Sequence, residues 1–114
     1  MPFINSKVST QVSKEQEHEI KTMLAQAASE ILGKGENWLM VGIEPECTLY
    51  FRGDDSQPSA FVDVSIYGGE NKQAFNSFTG RVCDILNKVL NISPDRVYVK
   101  YYATSNWGWN GSNF

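Results

Sequence analysis

The sequence predicts a single α+β domain over residues 1–114, in which two β-α-β repeats form a four-stranded sheet with two helices on one face. Three observations predict this fold class. The length of 114 residues suits one hydrophobic core. Two stretches have the apolar spacing of one-sided helices, and strand-forming runs lie before and after each of them. The halves also match when Phe3 is placed on Phe61, a shift of 58 positions (61 − 3).

The first predicted helix covers residues 14–32. Its apolar side chains recur at the i, i+3, i+4 and i+7 positions, which share one side of a helix. Ser13 and Gln16 have the spacing of a capping box at its start, and Gly33 follows where a left-handed helix end favours glycine. Both ends of this helix are therefore marked in the sequence.

The second predicted helix covers residues 71–90 and repeats the apolar pattern. The same shift of numbering places Ser13, the cap of the first helix, on Asn71. It also places Gly33 on Asn91, so the end signals match together with the apolar positions. This agreement indicates an internal duplication. The strands predicted to accompany the helices are residues 3–8, 38–43, 60–66 and 96–102.

Each repeat joins two strands through a helix, which predicts parallel pairing with a right-handed crossover. Both helices then cover the same face of the sheet, and the opposite face is bare in the monomer. The last strand presents one of two sets to this bare face: Val97, Val99 and Tyr101, or Tyr98, Lys100 and Tyr102. Because parallel strands are seldom left open to water, we expect an oligomer that buries this face.

Two shorter features accompany the repeats. Residues 48–52 are expected to form a short strand before a turn at residues 53–56, with Pro58 preventing its continuation. Towards the end of the sequence, Asn110-Gly111 has the composition of a hairpin turn and lies beside two tryptophans. A hairpin at this position could extend the sheet edge of a neighbouring molecule.

Charge and hydropathy exclude several classes of function. The net charge is −3 and no basic run is present, so nucleic acid is not expected as a partner. No apolar run approaches the roughly 20 residues that span a bilayer, and the first residues lack the apolar core of a signal peptide. We expect no membrane association and a cytoplasmic location. Cys47 and Cys83, interpreted as buried free thiols, fit a reducing compartment.

The sequence contains no common catalytic or metal-binding signature, so we expect no cofactor and no metal. His18 is the only histidine and lies off the apolar stripe of the first helix, which favours a solvated surface residue. Pro2 is the remaining candidate for chemistry. If Met1 is removed, the ring nitrogen of Pro2 becomes a free secondary amine, which is nucleophilic and accepts a proton.

Four segments of the sequence carry a family resemblance. They are Pro2-Phe3-Ile4-Asn5, Leu32-Gly33-Lys34, Ile92-Ser93-Pro94-Asp95-Arg96-Val97-Tyr98 and Trp107-Gly108-Trp109-Asn110-Gly111-Ser112-Asn113-Phe114. Through them the whole chain resembles the macrophage migration inhibitory factor family of the tautomerase superfamily. The resemblance implies a trimeric, tautomerase/MIF-like fold: a homotrimer whose three sheets surround a central channel, with one site at each subunit interface.

The resemblance also implies an activity. It is the keto–enol tautomerisation of small aromatic 2-oxo acids such as phenylpyruvate, with the Pro2 amine as general base. An alternative is a cytokine-like binding protein that acts on a cell-surface receptor, with vestigial catalysis and secretion without a signal peptide. A third hypothesis is a microbial catabolic relative that acts on another unsaturated acid. Lys100 is the reason to retain this hypothesis, because the family commonly has asparagine at that position.

Lys34 matches the family lysine beside the proline, where it would lower the pKa of the amine and pair with the substrate carboxylate. Ser65 and Ile66 match the residues at the mouth of the site, and Tyr98 would reach across from the adjacent subunit. The substrate-binding residues that the resemblance implies are Lys34, Trp38, Ser65, Ile66, Tyr98, Lys100, Trp107, Trp109 and Phe114.

The sequence departs from the family pattern at several places. Trp38 stands where tyrosine is common, and Tyr67 stands where glycine is usual. A cation at Lys100 could tighten carboxylate binding, lower the pKa of the proline further or alter substrate preference. The connection over residues 102–107 is shorter than in vertebrate members, so the rim of the pocket differs. If Met1 is retained, Pro2 is an amide and the base is absent.

Overall fold

The computed structural model describes residues 1–114. Their secondary structure follows the predicted order of strand, helix and strand in each half. The main elements are β1 (Pro2–Val8), α1 (Lys14–Ala27), β2 (Met40–Glu44), β3 (Ala60–Tyr67), α2 (Lys72–Leu90), β4 (Val97–Thr104), β5 (Gly108–Trp109) and β6 (Ser112–Asn113). A π-helical turn, Ala28–Leu32, continues α1, and 3-10 turns lie at Glu36–Trp38 and Pro94–Arg96. Neither long helix has the combination of length and hydropathy that crossing a bilayer requires.

Four strands form one mixed sheet in the order β2-β1-β3-β4. β1 pairs in parallel with β2, and β3 pairs in parallel with β4, whereas β1 and β3 are antiparallel. The register places Pro2 opposite Ile66 and Val8 opposite Ala60. The two β-α-β repeats are therefore joined through their first strands, which confirms the predicted fold class.

The helix ends have the capping interactions that the sequence predicts. The Ser13 hydroxyl accepts a hydrogen bond from the Gln16 N–H at 3.1 Å, and the Gln16 side chain accepts one from the Ser13 N–H at 2.9 Å. At the start of α2, the Asn71 side chain accepts a hydrogen bond from the backbone at 3.0 Å. Gly33 and Asn91 both adopt the left-handed conformation, with φ of 66° and 56°. These caps satisfy backbone groups that helix ends otherwise leave unpaired.

The hydrophobic core lies between the sheet and the two helices. Alternate residues of the central strands, such as Ile4 and Val64, are almost completely buried, and they belong to one cluster with helix residues such as Phe78 and Ile85. Burial of one such side chain contributes about 1.5 to 3 kcal/mol. Because both helices contribute to this cluster, the core fixes the position of the loops at their ends.

The opposite face of the sheet is uncovered in the single chain. β4 turns Tyr98, Lys100 and Tyr102 towards this open face, because its alternate residues pack against the helical core. The Lys100 ammonium forms an ion pair with the Asp63 carboxylate at 2.9 Å. The structure thus selects the second of the two sets that the sequence leaves open.

Gly42 allows a close approach between β1 and β2 on the open face. A Cβ at Gly42 would lie 2.6 Å from the side-chain oxygen of Asn5, which is shorter than real contacts of this kind. The Asn5 amide donates a hydrogen bond to the Glu44 carboxylate at 2.7 Å. Glycine at position 42 therefore leaves space for the Asn5 side chain between the two strands.

Some predicted boundaries are wrong. The strand predicted over residues 38–43 begins at Met40, because Trp38 lies in a 3-10 turn. Residues 48–52 form no strand, and the only pairing there is an isolated bridge between Phe51 and Asp54. The predicted strand over 96–102 also starts one residue later, since Arg96 ends a 3-10 turn. The two cysteines are free, but both are only partly buried.

The segment between β2 and β3 is held by the buried Arg96 instead of by strand pairing. The Arg96 guanidinium donates hydrogen bonds to the carbonyls of Phe51 at 3.2 Å, Asp54 at 2.8 Å and Gln57 at 3.2 Å. It also donates to the Ser59 hydroxyl at 2.9 Å. A single side chain thus donates to three carbonyls of a loop that the sequence predicts only as strand and turn.

Candidate active site

A pocket of about 270 Å³ opens beside the start of β1. Three parts of the chain form its walls: Pro2 and Phe3 of β1, Trp38 and Leu39 before β2, and Trp107 and Trp109 at the C-terminal end. The structure therefore brings together four of the predicted site residues that lie far apart in sequence. The walls are mostly apolar, which suits the non-polar part of a small organic ligand.

The α-amino group of the chain lies at this pocket. Burial, and to a lesser extent the Lys34 ammonium, lower the pKa of the Met1 amino group. Met1 is half-buried, and the Pro2 side chain is completely buried. Burial and a nearby positive charge both disfavour the protonated form of an amine. An amine at this end of β1 is therefore held in surroundings that favour its neutral, basic form.

Lys34 is positioned by the end of the first helix. Gly33 adopts a φ of 66°, and the Lys34 N–H then donates to the Ala28 carbonyl at 3.1 Å. This turn directs the side chain to the end of β3, where its Nζ donates to the Tyr67 carbonyl oxygen at 3.4 Å. An ammonium has three donors, so two remain for a ligand.

Tyr67 is a site residue that the sequence shows only as a departure from the family pattern. Its backbone N–H donates to the Met1 carbonyl at 3.1 Å, and its carbonyl accepts the hydrogen bond from Lys34. Tyr67 follows Ile66, the partner of Pro2 in the antiparallel register. The register and the hydrogen bond to Met1, a lining residue, place Tyr67 beside the pocket, and residue type alone gives no signal for it.

Four aromatic side chains form a continuous row beside the pocket. The rings of Trp38 and Trp109 meet edge to face, with centroids 5.1 Å apart. The Phe114 ring lies nearly parallel to that of Trp109 at 6.5 Å and contacts the Tyr67 ring at 5.3 Å. The predicted turn at Asn110-Gly111, with φ of 53° and 91°, joins β5 to β6 and confirms the predicted hairpin. We call Trp38, Trp109, Phe114 and Tyr67 the aromatic row, and residues 107–114 the C-terminal hairpin.

Ser65 and Ile66 lie on the neighbouring strand, outside the pocket walls. Ile66 is opposite Pro2 and is buried on the helical side of the sheet. Ser65 is opposite Phe3 and half-buried. Their predicted contacts with a substrate therefore stay a prediction.

Tyr98 and Lys100 do not reach the pocket of their own chain. Tyr98 is paired with Phe61, which lies five positions along β3 from Ile66, the partner of Pro2 (66 − 61 = 5). At roughly 3.3 Å per residue this separation is about 17 Å. The Tyr98 side chain instead contacts Phe61 and stands 58% exposed on the open face. Neither Tyr98 nor Lys100 lines this pocket, so their predicted contacts with a substrate stay a prediction.

A mixed four-stranded sheet with two helices on one face, and the start of the chain in an aromatic pocket, define a tautomerase-superfamily fold. The family model for macrophage migration inhibitory factor (MIF) matches residues 1–114. The chain therefore belongs to the macrophage migration inhibitory factor family, as the sequence resemblance indicates.

Individual relatives agree with this assignment. Macrophage migration inhibitory factor of Xenopus laevis is 36% identical over 93 residues, which cover 80% of this chain and 80% of that protein. The crystal structure of Leishmania major MIF2 covers 100% of this chain and 97% of its own, with 30% identity and a TM-score of 0.94. The crystal structure of Pt0534 inactivated by 2-oxo-3-pentynoate shares the fold with a TM-score of 0.85 at 15% identity, covering 97% of this chain and 94% of its own.

Proposed function

We propose that this protein is a tautomerase that interconverts the keto and enol forms of phenylpyruvate-like 2-oxo acids. The nitrogen of Pro2 is the general base, after removal of Met1. The observation that carries this proposal is the apolar pocket at the start of β1, where burial and Lys34 lower the pKa of the chain's amino group. Family membership supports isomerase-type activity in general.

A lowered pKa is what this base requires. An α-amino group ordinarily titrates at about 7.7 to 8, so much of it is protonated at neutral pH and unable to accept another proton. Pro2 adjoins Met1 and is itself buried, so its amine would experience the same apolar surroundings and the same Lys34 charge. A larger fraction of the Pro2 amine is then neutral at pH 7.

The substrate carboxylate is assigned to Lys34 and the Tyr67 backbone. The Tyr67 N–H donates to the Met1 carbonyl while Met1 is present, and removal of Met1 frees this donor. The Lys34 ammonium donates to the carbonyl of the same residue. A carboxylate that accepts from both groups gains a charge-assisted hydrogen bond and a backbone hydrogen bond close to the Pro2 amine.

The proposed reaction transfers two protons and shifts two electron pairs. The Pro2 nitrogen accepts a proton from the carbon next to the keto group, and the electrons of the broken C–H bond form a C=C bond. The carbonyl electrons move to oxygen, which takes a proton from solvent and becomes the enol hydroxyl. In the reverse direction the protonated Pro2 returns its proton to carbon.

The aryl group of the substrate is assigned to the walls made by Trp38, Trp107 and Trp109. Aromatic rings pack favourably in offset or edge-to-face arrangements, as Trp38 and Trp109 already do with one another. Pt0534, which shares this fold, is inactivated by 2-oxo-3-pentynoate, and that compound is also a 2-oxo acid. A small aromatic 2-oxo acid has a carboxylate for Lys34 and the Tyr67 backbone, an acidic C–H for the Pro2 nitrogen, and a ring for the tryptophan walls.

A homotrimer completes this proposal. Tyr98 and Tyr102 are exposed to 58% and 63% on the open face, which is the face that an oligomer would bury. In the trimer, Tyr98 and Lys100 of one subunit would reach the pocket of the next. A cytoplasmic location, with export that does not use a signal peptide, belongs to the same proposal.

A cytokine-like binding protein that acts on a cell-surface receptor is the second candidate function. Two observations favour it: the relatives carry the name macrophage migration inhibitory factor, and the Met1 carbonyl fits the β1–β3 ladder through its hydrogen bond with Tyr67. If Met1 is retained, Pro2 is an amide and catalysis by this route is excluded. Saturable receptor binding by a protein without tautomerase activity would favour this function.

The test of the proposed function has two stages. Intact-mass measurement of the purified protein should show loss of one methionine. The ultraviolet absorbance of enol phenylpyruvate then follows its formation by the parent and by Pro2→Gly. This variant replaces the ring-held secondary amine with a mobile primary amine and should be slower by roughly a hundredfold, because proton transfer requires a positioned base. Equal rates in the two proteins, or a retained Met1 in an active protein, would reject Pro2 as the base.

A further inference from the structure

Tyr67 contacts two groups beside the pocket, Lys34 and Phe114, which belong to separate parts of the proposed site. Its backbone carbonyl accepts a hydrogen bond from the Lys34 ammonium at 3.4 Å. Its ring lies 5.3 Å from the ring of Phe114, with 44° between the ring planes. Tyr67 itself is half-buried at the end of β3. It therefore links the cation assigned to the carboxylate with the last ring of the aromatic row.

The C-terminal hairpin depends on such ring contacts for its position. β5 pairs only with β6, in a two-stranded sheet separate from the main one. The Phe114 N–H donates to the Trp107 carbonyl at 3.1 Å, which is again a bond within the hairpin. A lone two-stranded hairpin is marginally stable in water. Its two aromatic contacts with the rest of the chain are Trp109 with Trp38 and Phe114 with Tyr67.

The Tyr67 contact lies at the far end of the aromatic row from Trp38. If only Trp38 held the hairpin, the segment could pivot about Trp109 and change the width of the pocket. The contact between Tyr67 and Phe114 provides a second point of attachment, and two points fix an orientation. Because Trp107 and Trp109 are pocket walls, the orientation of the hairpin sets the space available to an aryl group.

We propose that Tyr67 is a specificity-determining residue whose ring positions Phe114 and the C-terminal hairpin, so that aryl 2-oxo acids meet a fixed wall. This inference rests on the proposed tautomerase function and adds a selection by substrate shape. An aryl substrate spans the distance from Lys34 to the tryptophan walls. A short aliphatic 2-oxo acid occupies only the carboxylate end and is indifferent to the hairpin.

The kinetic test compares Tyr67→Ala with the conservative variant Tyr67→Phe. One aromatic pair corresponds to roughly a twofold to tenfold change in affinity, so Tyr67→Ala should raise KM for phenylpyruvate by that factor. KM for 2-oxobutanoate should not change in the same variant. Tyr67→Phe keeps the ring and should restore the parent value for phenylpyruvate. An equal change in KM for both substrates, or none for either, would overturn the proposal.

A double-mutant cycle tests the assignment of the effect to Phe114. Phe114→Ala alone should raise KM for phenylpyruvate, and adding Tyr67→Ala to it should cause little further increase, because the two changes remove the same contact. Fully additive effects would show that Tyr67 acts by another route and would overturn the proposed contact.

Two measurements do not depend on catalysis. In Tyr67→Ala the backbone amides of residues 107–114 should exchange hydrogen faster than in the parent, and acrylamide should quench tryptophan fluorescence more strongly. Tyr67→Phe should match the parent in both. Unchanged exchange and quenching in Tyr67→Ala would overturn the positioning role. A parent protein without tautomerase activity would instead reject the proposed function and the substrate selection, and the exchange result would still decide whether Tyr67 positions the hairpin.

Discussion

Replacement of Lys34 by methionine tests both tasks that the proposed function assigns to this side chain. Methionine keeps a long apolar stem and removes the ammonium, so the change acts mainly on charge. Under the proposed function, Lys34→Met removes one partner of the substrate carboxylate and one of the two causes that lower the pKa of the chain's amino group. The variant should therefore change both KM and the pH dependence of the reaction.

The expected size of the KM effect follows from the contact. A hydrogen bond to a charged group contributes about 1.5 to 3 kcal/mol, and about 1.4 kcal/mol corresponds to a tenfold change in affinity. Lys34 is only half-buried, so solvent screens part of its charge and the lower end of the range applies. We expect a rise in KM for phenylpyruvate of roughly tenfold.

The direction of the pH effect follows from the form of the base that reacts. Pro2 accepts a proton only when its amine is neutral, so kcat/KM rises with pH through the pKa of this amine. Burial is the larger cause of the lowered pKa and remains in Lys34→Met. The pKa should therefore rise but stay below that of an exposed amine. The rising limb of the profile moves to higher pH, and at a fixed pH on this limb the rate falls.

Initial rates of enol phenylpyruvate formation from the keto form between about pH 5 and pH 9 measure both effects, since neutral Pro2 accepts the proton in this direction and the range brackets the ordinary pKa of an α-amine. Lys21→Met is the matched control, because it removes the same charge from α1, where Lys21 faces Glu36 at 3.6 Å. Lys34→Arg keeps the positive charge and should retain the position of the rising limb. A Lys34→Met protein with the KM and pH profile of the parent would refute both roles of Lys34.

Two further predictions concern stability. Arg96→Met removes the guanidinium that donates to the carbonyls of Phe51, Asp54 and Gln57, and it should lower the free energy of unfolding by about 3 kcal/mol in urea denaturation. The exposed Arg52→Met should change it little. A loss below about 1 kcal/mol would contradict the role of Arg96 in this loop. Tyr101→Phe removes a hydroxyl that donates to the Phe75 carbonyl at 2.8 Å and lies 2.7 Å from the Thr79 hydroxyl. The variant should lower the free energy of unfolding by about 1 to 2 kcal/mol. Tyr102→Phe, on the open face, is the control and should leave it unchanged. Equal stability of these two tyrosine variants would contradict the buried hydrogen bonds.

The sequence is most informative where local chemistry decides the structure. The Ser13–Gln16 capping box and the left-handed Gly33 and Asn91 are recognisable because each is fixed by neighbours a few positions away. The same applies to the Asn110-Gly111 turn. These signals, together with helical periodicity, are sufficient to predict two β-α-β repeats and their common helical face.

Features that depend on distant contacts could not be predicted in this way. Residues 48–52 have strand-like composition, but Phe51 bonds with Asp54 in a local turn, and its carbonyl also accepts a hydrogen bond from the Arg96 guanidinium, more than 40 positions away. The open face of β4 is likewise ambiguous, because valine and tyrosine both suit a buried strand face, and only the packing of the helices decides between them.

The candidate site also contains residues that the sequence suggests and residues that depend on distant contacts. Pro2 and Lys34 are suggested by amine chemistry and by the family resemblance. In the structure Pro2 lines the pocket, and Lys34 lies close enough to the chain's amino group to lower its pKa. Tyr67 depends on the register between β1 and β3, which a single sequence does not specify. For Tyr98 and Lys100, the single chain places both side chains away from its own pocket, so the sequence prediction for them depends on the proposed assembly.

The two predicted repeats differ at the positions that matter for chemistry. In the second repeat, Ala60 corresponds to Pro2 and Ile92 to Lys34, by the same shift of 58 positions (60 − 2). Ala60 is preceded by chain, so its nitrogen is an ordinary amide, and Ile92 is completely buried where the first repeat has a cation. At these positions the second repeat therefore has only a structural role, whereas the first repeat borders the pocket. A threefold assembly of such chains would carry three reactive centres from six copies of the motif.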